Sequence, residues 1–413
     1  MKKAAIISVG NELLNGNTVD TNSNWLQKRL LSVSIPVVYS CSVVDETDEI
    51  KNAVEYVLGK ADIVLITGGL GPTDDDLTRQ AIAEFLNTEL EYHPDIYEKI
   101  VQFFAAINRP LAENNKIQAY LPKGTSEIPN ALGTAAGILY QDSTKLIAAF
   151  PGVPSEMQQM FDLYVYPKLA DLNKDSFIVI KKIKCIGAGE SVIAEMLGDM
   201  MVRGRNPLIN CTVDHGIITL HIVAQSNEKK VAEQAAADDL QKIQTILGSL
   251  IYSCNDQSLA EVVGQMLSEK KQTVAVAESC TGGLIAKMLT DIPGSSKYFT
   301  YGWVTYSNDA KMTQLDVDKK LLERFGAVSS EAASAMALGA MKKSSADYAI
   351  AVTGIAGPGG GSEKKPVGLV YIAVASSKGV KTERFLFGPR NRDFIRLRTS
   401  QVALNLLRLN LCD

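Results

Sequence analysis

The first 90 residues alternate short apolar runs with amphipathic stretches, and this alternation restricts the fold more than any other feature of the chain. AAIISVG (4–10), VVYSCSVV (37–44) and ADIVLITGG (61–69) read as strands. TNSNWLQKRLLSV (21–33) and DEIKNAVEYVLGKA (48–61) repeat apolar residues at helical spacing, and DLTRQAIAEFLN (76–87) does so after the third strand. Parallel neighbours need crossover connections, so β-α-β-α-β order predicts a parallel sheet covered on both faces. GILYQ and KLIAAFPG read as an antiparallel pair. The helix PSEMQQMFDLYVYPKL then closes a first domain at 1–171.

Two further domains follow. Residues 172–254 carry two strand patterns, FIVIKKIKCIG and GIITLHIVAQ, and two helical ones, GESVIAEMLGDM and KKVAEQAAADDLQKIQTILG. This predicts a small α+β unit without the Gly-x-x-Gly loop that clamps RNA backbone. Arg203 and Arg205 read there as solvated surface. Residues 255–413 open with a helix, LAEVVGQMLSEK, and a strand, TVAVAES, before the turn CTGG. Further on, YAIAV and LVYIAVA flank TGIAGPGGGSEKKPVG, which reads as strand, loop, strand. Glycines in such a loop allow close backbone approach, and successive N–H groups can cradle an anion. Neither Gly-x-x-x-x-Gly-Lys-Ser/Thr nor Gly-x-Gly-x-x-Gly is present, which removes the usual triphosphate and dinucleotide readings.

Composition narrows the function. Net charge is −4 from 42 basic and 46 acidic residues, which gives no electrostatic case for nucleic acid. No apolar run approaches 18 residues, so no membrane partner is expected. The six cysteines are scattered without a Cys-x-x-Cys pair, and the three histidines are dispersed. That pattern predicts reduced core thiols, a cytoplasmic setting and no zinc centre.

The segment TGGLGPTDDDLTRQA (67–81) holds the first candidate site. Gly68, Gly69 and Gly71 sit where a parallel strand meets a helix, the usual ligand edge of open α/β sheets. Thr73 or Asp74 is expected to cap that helix, and Asp75 and Asp76 bring carboxylates to the same spot. Phosphate and carboxylates share a site only with a cation between them, which suits magnesium on Asp75 and Asp76. Part of the acidic run is also what a first helical turn favours by itself. Glu12, in SVGNELLNG just after the first strand, is expected to face the same cleft, and FPGVPSEM gives another loop with Glu156 next to its helix start.

SVGNELLNG, TGGLGPTDDDLT and FPGVPSEM resemble the molybdopterin-binding-type domain at the front of CinA (competence/damage-inducible) proteins, which implies a doubly wound, mainly parallel α/β fold. AESCTGG (277–283), PGSSKYF (293–299), VTYSNDAK (304–311), GAVS (326–329), TGIAGPGGGSEKKPVG (353–368) and NRDFIR (391–396) resemble the nicotinamide-nucleotide amidase domain of the same family. The middle segment is similar to the family's KH-type connecting domain. The resemblance implies hydrolysis of nicotinamide mononucleotide to nicotinate mononucleotide and ammonia without a cofactor, and a homodimer. For some members it implies ADP-ribose hydrolysis at the front domain with a divalent metal, magnesium or cobalt, and potassium. Related front domains bind molybdopterin instead. The family's name also suggests a non-catalytic competence or DNA-repair accessory, which the acidic balance disfavours.

Amide hydrolysis needs a nucleophile, a proton shuttle and an oxyanion donor. No histidine follows residue 255, so a Ser-His-Asp triad within the segment is excluded, and Cys280 lacks a local partner. A Ser–Lys pair remains. The family block singles out Lys311 as base, on the first turn of a helix starting near Asn308. Ser296, on the PGSS turn, is the preferred nucleophile, with Ser295 and Ser279 open as alternatives. Tyr306 is assigned to orient the pair or protonate the leaving group. Ser279, Thr281, Gly282, Thr353, Gly354, Ala356 and Gly357 are assigned to substrate binding, together with Arg392 as charge partner. Arg390 competes with Arg392 for that role, and Lys364 and Lys365 read as the solvated tip of the loop.

Overall fold

The computed structural model describes residues 1–412. It contains two compact units: Met1–Val179 with Ala224–Gln234, and Ile180–Val223 with the residues from Ala235 onward.

In the first unit, β1 (Ala4–Val9), β2 (Val37–Val43) and β3 (Ile63–Thr67) are parallel, as the alternation predicts. A short pair, β4 (Leu90–Tyr92) and β5 (Tyr120–Pro122), stands apart. β6 (Ser126–Ile128), β7 (Gly137–Gln141) and β8 (Leu146–Phe150) complete a six-stranded sheet of order β2-β1-β3-β8-β7-β6. β8 runs parallel to β3, and β7 and β6 run antiparallel. The pleat divides β1 between two cores. Ala4 and Ile6 pack with Leu26, Leu30 and Phe161 on one face, while Ala5, Ile7 and Val9 pack with Ile50, Val54 and Ile82 on the other. Burial on both faces is why these strands read as continuous apolar runs.

The middle segment forms β9 (Phe177–Ile186), β10 (Leu208–Asp214), β11 (Ile217–Ser226) and β12 (Ile251–Ser253), in sheet order β10-β11-β9-β12. His215 and Gly216 join β10 to β11 with both φ angles positive, 46° and 79°. That is the left-handed pair a two-residue hairpin turn requires. Arg205 is not solvated surface: it forms an ion pair at 2.6 Å with Asp239, whose carboxylate is almost wholly buried.

The C-terminal sheet has order β14-β13-β15-β16-β17, from β13 (Val274–Glu278), β14 (Phe299–Val304), β15 (Tyr348–Gly354), β16 (Leu369–Ser376) and β17 (Gly379–Leu386). The first three are parallel and the last two antiparallel. Its two faces differ in kind. Val274, Val276, Ile350, Val352 and Ile372 pack with the helices Leu259–Lys270 and Arg392–Cys412. Ala277, Ala349, Ala351, Ala373 and Ala375 face the alanine-rich helix Ser330–Ser344, which small side chains bring close. Gly339 lets the same helix approach the end of the helix Asn308–Leu315, since a Cβ there would lie 2.0 Å from the Leu315 carbonyl. Register fixes the edges: Glu278 pairs with Val304 and Val352, so β13 and β14 end together and β15 runs two residues further.

Candidate functional sites

The shared edge of β13, β14 and β15 carries a serine and a lysine in contact. Ser279 is the first residue beyond β13. Ser307 caps the helix Asn308–Leu315 by accepting from the Ala310 N–H, which sets Lys311 one turn in. The Lys311 ammonium is buried, 1 % exposed, and lies 3.2 Å from Ser279 Oγ. It also donates to the carbonyls of Thr305 at 2.7 Å and Tyr306 at 3.4 Å. Burial holds its pKa below the ordinary lysine value, which favours the neutral amine a general base needs. The same burial pushes the neighbouring Cys280 thiol up to about 12, so it stays protonated.

Ser296 is not part of this pair. It lies in the exposed turn Ser295–Lys297 ahead of β14, at the edge where Phe299 pairs with Val274. About 13 Å of strand separates the two edges. A serine before a parallel strand and a lysine after it end on opposite sides of the sheet, and this corrects the preference for Ser296 and its neighbour Ser295. The partner of Lys311 is Ser279.

Other assigned residues gather around the pair unevenly. Arg392 donates to Tyr306 Oη and to the Gly357 carbonyl, each at 2.9 Å, whereas the Arg390 guanidinium lies over the Phe394 ring. Arg392 is thus the arginine that reaches the site. Thr281 is fully buried, its hydroxyl has no partner, and its carbonyl accepts from Arg396 at 2.8 and 3.2 Å. Gly282 and Gly283 continue that turn with φ of 60° and 90°. Thr353 donates to the Ala327 carbonyl at 2.7 Å. Gly354 and Ala356 serve packing: a Cβ on Gly354 would lie 2.7 Å from Val370, and Ala356 sits in the core. Lys365 is not a solvated tip, because it donates to the carbonyls of Phe325 at 2.9 Å and Val328 at 2.7 Å.

Sequence reasoning missed Glu278 and Arg396. Glu278 is fully buried and accepts from the N–H groups of Ile285 and Ala286, at 3.1 and 2.8 Å, tying the turn after Ser279 to the next helix. An acidic residue ending an apolar strand was the available signal.

The first unit holds a cleft of about 590 Å³ lined by all seven residues assigned to it: Glu12, Gly68, Gly69, Gly71, Asp75, Asp76 and Glu156. Gly68 and Gly69 have φ of 105° and 68°, and Cβ atoms there would lie 2.2 Å from the Val9 carbonyl and 2.3 Å from Thr78 Oγ1. The capping expectation needs correction. The helix spans Thr78–Phe85 behind Leu77, and the aspartates occupy a separate turn in which Asp76 accepts from the Thr73 N–H at 2.9 Å. The Thr73 hydroxyl also donates to Asp76. Glu156 accepts from Asn130 at 2.7 Å.

Asp45, Arg109 and Gln118 also line the cleft, and no motif announced them. Gln118 is 1 % exposed with an unpartnered Oε1. Among the described residues no group of three or more His, Cys, Asp or Glu side chains is arranged to hold a metal ion. Asp75 and Asp76 could supply one or two carboxylates to a magnesium ion whose remaining ligands come from elsewhere.

A doubly wound front domain, a KH-like middle and a serine–lysine edge define a three-part α/β protein. Profiles of three families match it: "Probable molybdopterin binding domain" over residues 5–171, "Damage-inducible protein CinA KH domain" over 180–253 and "CinA C-terminal domain" over 256–411. A putative competence-damage inducible protein of Clostridium acetobutylicum is 41% identical over 98% of both chains. A CinA-like protein of Dictyoglomus thermophilum is 40% identical over the full length of both. The crystal structure of competence/damage inducible protein CihA from Agrobacterium tumefaciens is 47% identical, covering 38% of this chain and 94% of that one, with a TM-score of 0.37. The chain belongs to the CinA family. Among the described residues no helix is long and apolar enough to cross a membrane.

Proposed function

We propose that the C-terminal site hydrolyses the carboxamide of nicotinamide mononucleotide to nicotinate mononucleotide and ammonia. The observation that carries this reading is the 3.2 Å contact between Ser279 Oγ and the buried Lys311 amine. Neutral Lys311 takes the Ser279 proton as Oγ attacks the amide carbonyl. The unpartnered Thr281 hydroxyl and the N–H groups of the turn after Ser279 offer donors to the oxyanion. Collapse breaks the C–N bond, and Lys311 returns the proton to the leaving nitrogen. Ammonia departs, leaving an ester on Ser279. Water, giving its proton to Lys311, cleaves that ester and restores the serine. Arg392, which donates to the Tyr306 phenol and to the Gly357 carbonyl of the opening loop, would serve as charge partner for the substrate phosphate. Purified full-length protein is expected to release ammonia from this substrate, and Ser279→Ala to lose at least about 100-fold in rate.

A second activity, metal-dependent cleavage of the diphosphate of ADP-ribose, is supported by the convergence of the seven front-domain residues with Arg109 on one cleft. Asp75 and Asp76 would hold the metal, which supplies charge neutralisation at the phosphates. The competing reading is a molybdopterin binder without hydrolysis. Release of AMP from ADP-ribose with magnesium or cobalt, with and without potassium, separates the two.

A further inference from the structure

The last helix, Arg392–Cys412, carries two sets of residues on different faces of its first turns. Arg392 and Arg396, four apart, reach toward the serine–lysine pair through Tyr306 Oη, the Gly357 carbonyl and the Thr281 carbonyl. Phe394 and Arg398, each two residues further on and so about 200° around the helix, face away from those contacts. The tip of the β10–β11 hairpin is there. The His215 ring lies 5.8 Å from the Phe394 ring, tilted by 33°. Arg398 donates to the Gly216 carbonyl at 3.0 Å. The fit is close enough that a Cβ on Gly216 would lie 2.4 Å from the Arg398 guanidinium carbon. Asp214 accepts from His215 Nδ1 at 2.5 Å, and Ile217 packs on the C-terminal core.

We propose that the hairpin tip His215–Gly216 is a positioning element of the C-terminal site, a brace that backs the start of the last helix and so fixes Arg392 and Arg396. The hairpin's own geometry suits this role. A two-residue turn with both φ angles positive leaves its tip little freedom, so force on the helix is met by the sheet behind it. Active-site side chains need support of this kind, since a displacement of about 1 Å costs on the order of 100-fold. The consequence for catalysis rests on the amidase reading; the mechanical brace does not.

The test uses the full chain. His215→Asn removes the ring while suiting the left-handed backbone, Arg398→Gln removes the bond to Gly216, and His215→Tyr keeps a ring. Two readouts are taken: amide hydrogen exchange over residues 281–283 and 391–398, and kcat/KM for nicotinamide mononucleotide against nicotinamide riboside, which lacks the phosphate. The brace predicts faster exchange in both segments for the first two variants at unchanged Tm, and a fall of about tenfold in the mononucleotide-to-riboside preference. His215→Tyr restores both. Unchanged exchange in His215→Asn and Arg398→Gln overturns the brace. If the wild-type protein hydrolyses neither compound, the amidase reading fails, and hydrogen exchange alone still decides the brace.

Discussion

Lys311 Nζ lies 3.2 Å from Ser279 Oγ, and its other acceptors are backbone carbonyls, those of Thr305 and Tyr306. Among the described residues it has no carboxylate partner, and burial is the main influence on its pKa. This distinguishes Lys311 from the surface lysines of the chain, such as Lys287 or Lys319, which pair with acidic residues one helical turn away.

The pH dependence follows from that burial. The folded-state pKa of Lys311 lies below its ordinary 10.5, and the proposed mechanism requires the neutral amine. The rate constant kcat/KM is expected to rise with pH and level off before pH 10.5. Between the folded and unfolded pKa values the unfolded chain binds the extra proton, so stability rises with pH there. Wild type should gain on Lys311→Met across that window and not outside it. A rate profile still rising at an ordinary lysine pKa would contradict the assignment.

Cys280, beside Ser279, is expected to be inert. Its thiol is pushed up to about 12 by burial, leaving almost no thiolate at neutral pH. Cys280→Ala should keep ammonia release within a few-fold of wild type, and iodoacetamide should not abolish that release. Rapid inactivation with alkylation at Cys280 is the opposing outcome.

Front and rear sites are expected to act independently, because no residue lining the front cleft belongs to the serine–lysine site. Asp75→Ala should abolish metal-dependent ADP-ribose cleavage and leave ammonia release unchanged. Loss of both activities in a folded variant would show that they share machinery.

Gly68 is under steric constraint as well as lining the cleft. An added Cβ would sit 2.2 Å from the Val9 carbonyl at a φ of 105°. Gly68→Ala should cost the first unit about 2 kcal/mol or more in urea unfolding. An unchanged midpoint would mean the strand end relaxes freely.

The parts of this molecule legible in the sequence are those with short-range causes. Apolar runs buried on both faces marked β1, β3 and β8, and all seven front-cleft residues came from glycine and acidic motifs at strand ends. The rear site was harder because its geometry depends on sheet order. Ser296 and Ser279 both lie on glycine-bearing turns, and only the parallel pairing of β13 with β14 puts Ser296 at the far edge. The helix Arg392–Cys412 escaped pattern reading because Thr399 to Arg408 is buried on nearly every side, which erases the 3.6-residue period. Gln118, Asp45 and Arg109 reach the front cleft from three separate segments with no shared motif.

The most direct measurement is the site of the covalent intermediate. Full-length protein turning over nicotinamide mononucleotide is quenched in acid within milliseconds and mapped by peptide mass spectrometry. A nicotinate mononucleotide acyl group is expected on Ser279, absent in Ser279→Ala and in Lys311→Met, and present in Ser296→Ala. An acyl group on Ser296, or full ammonia release by Ser279→Ala, would contradict that assignment.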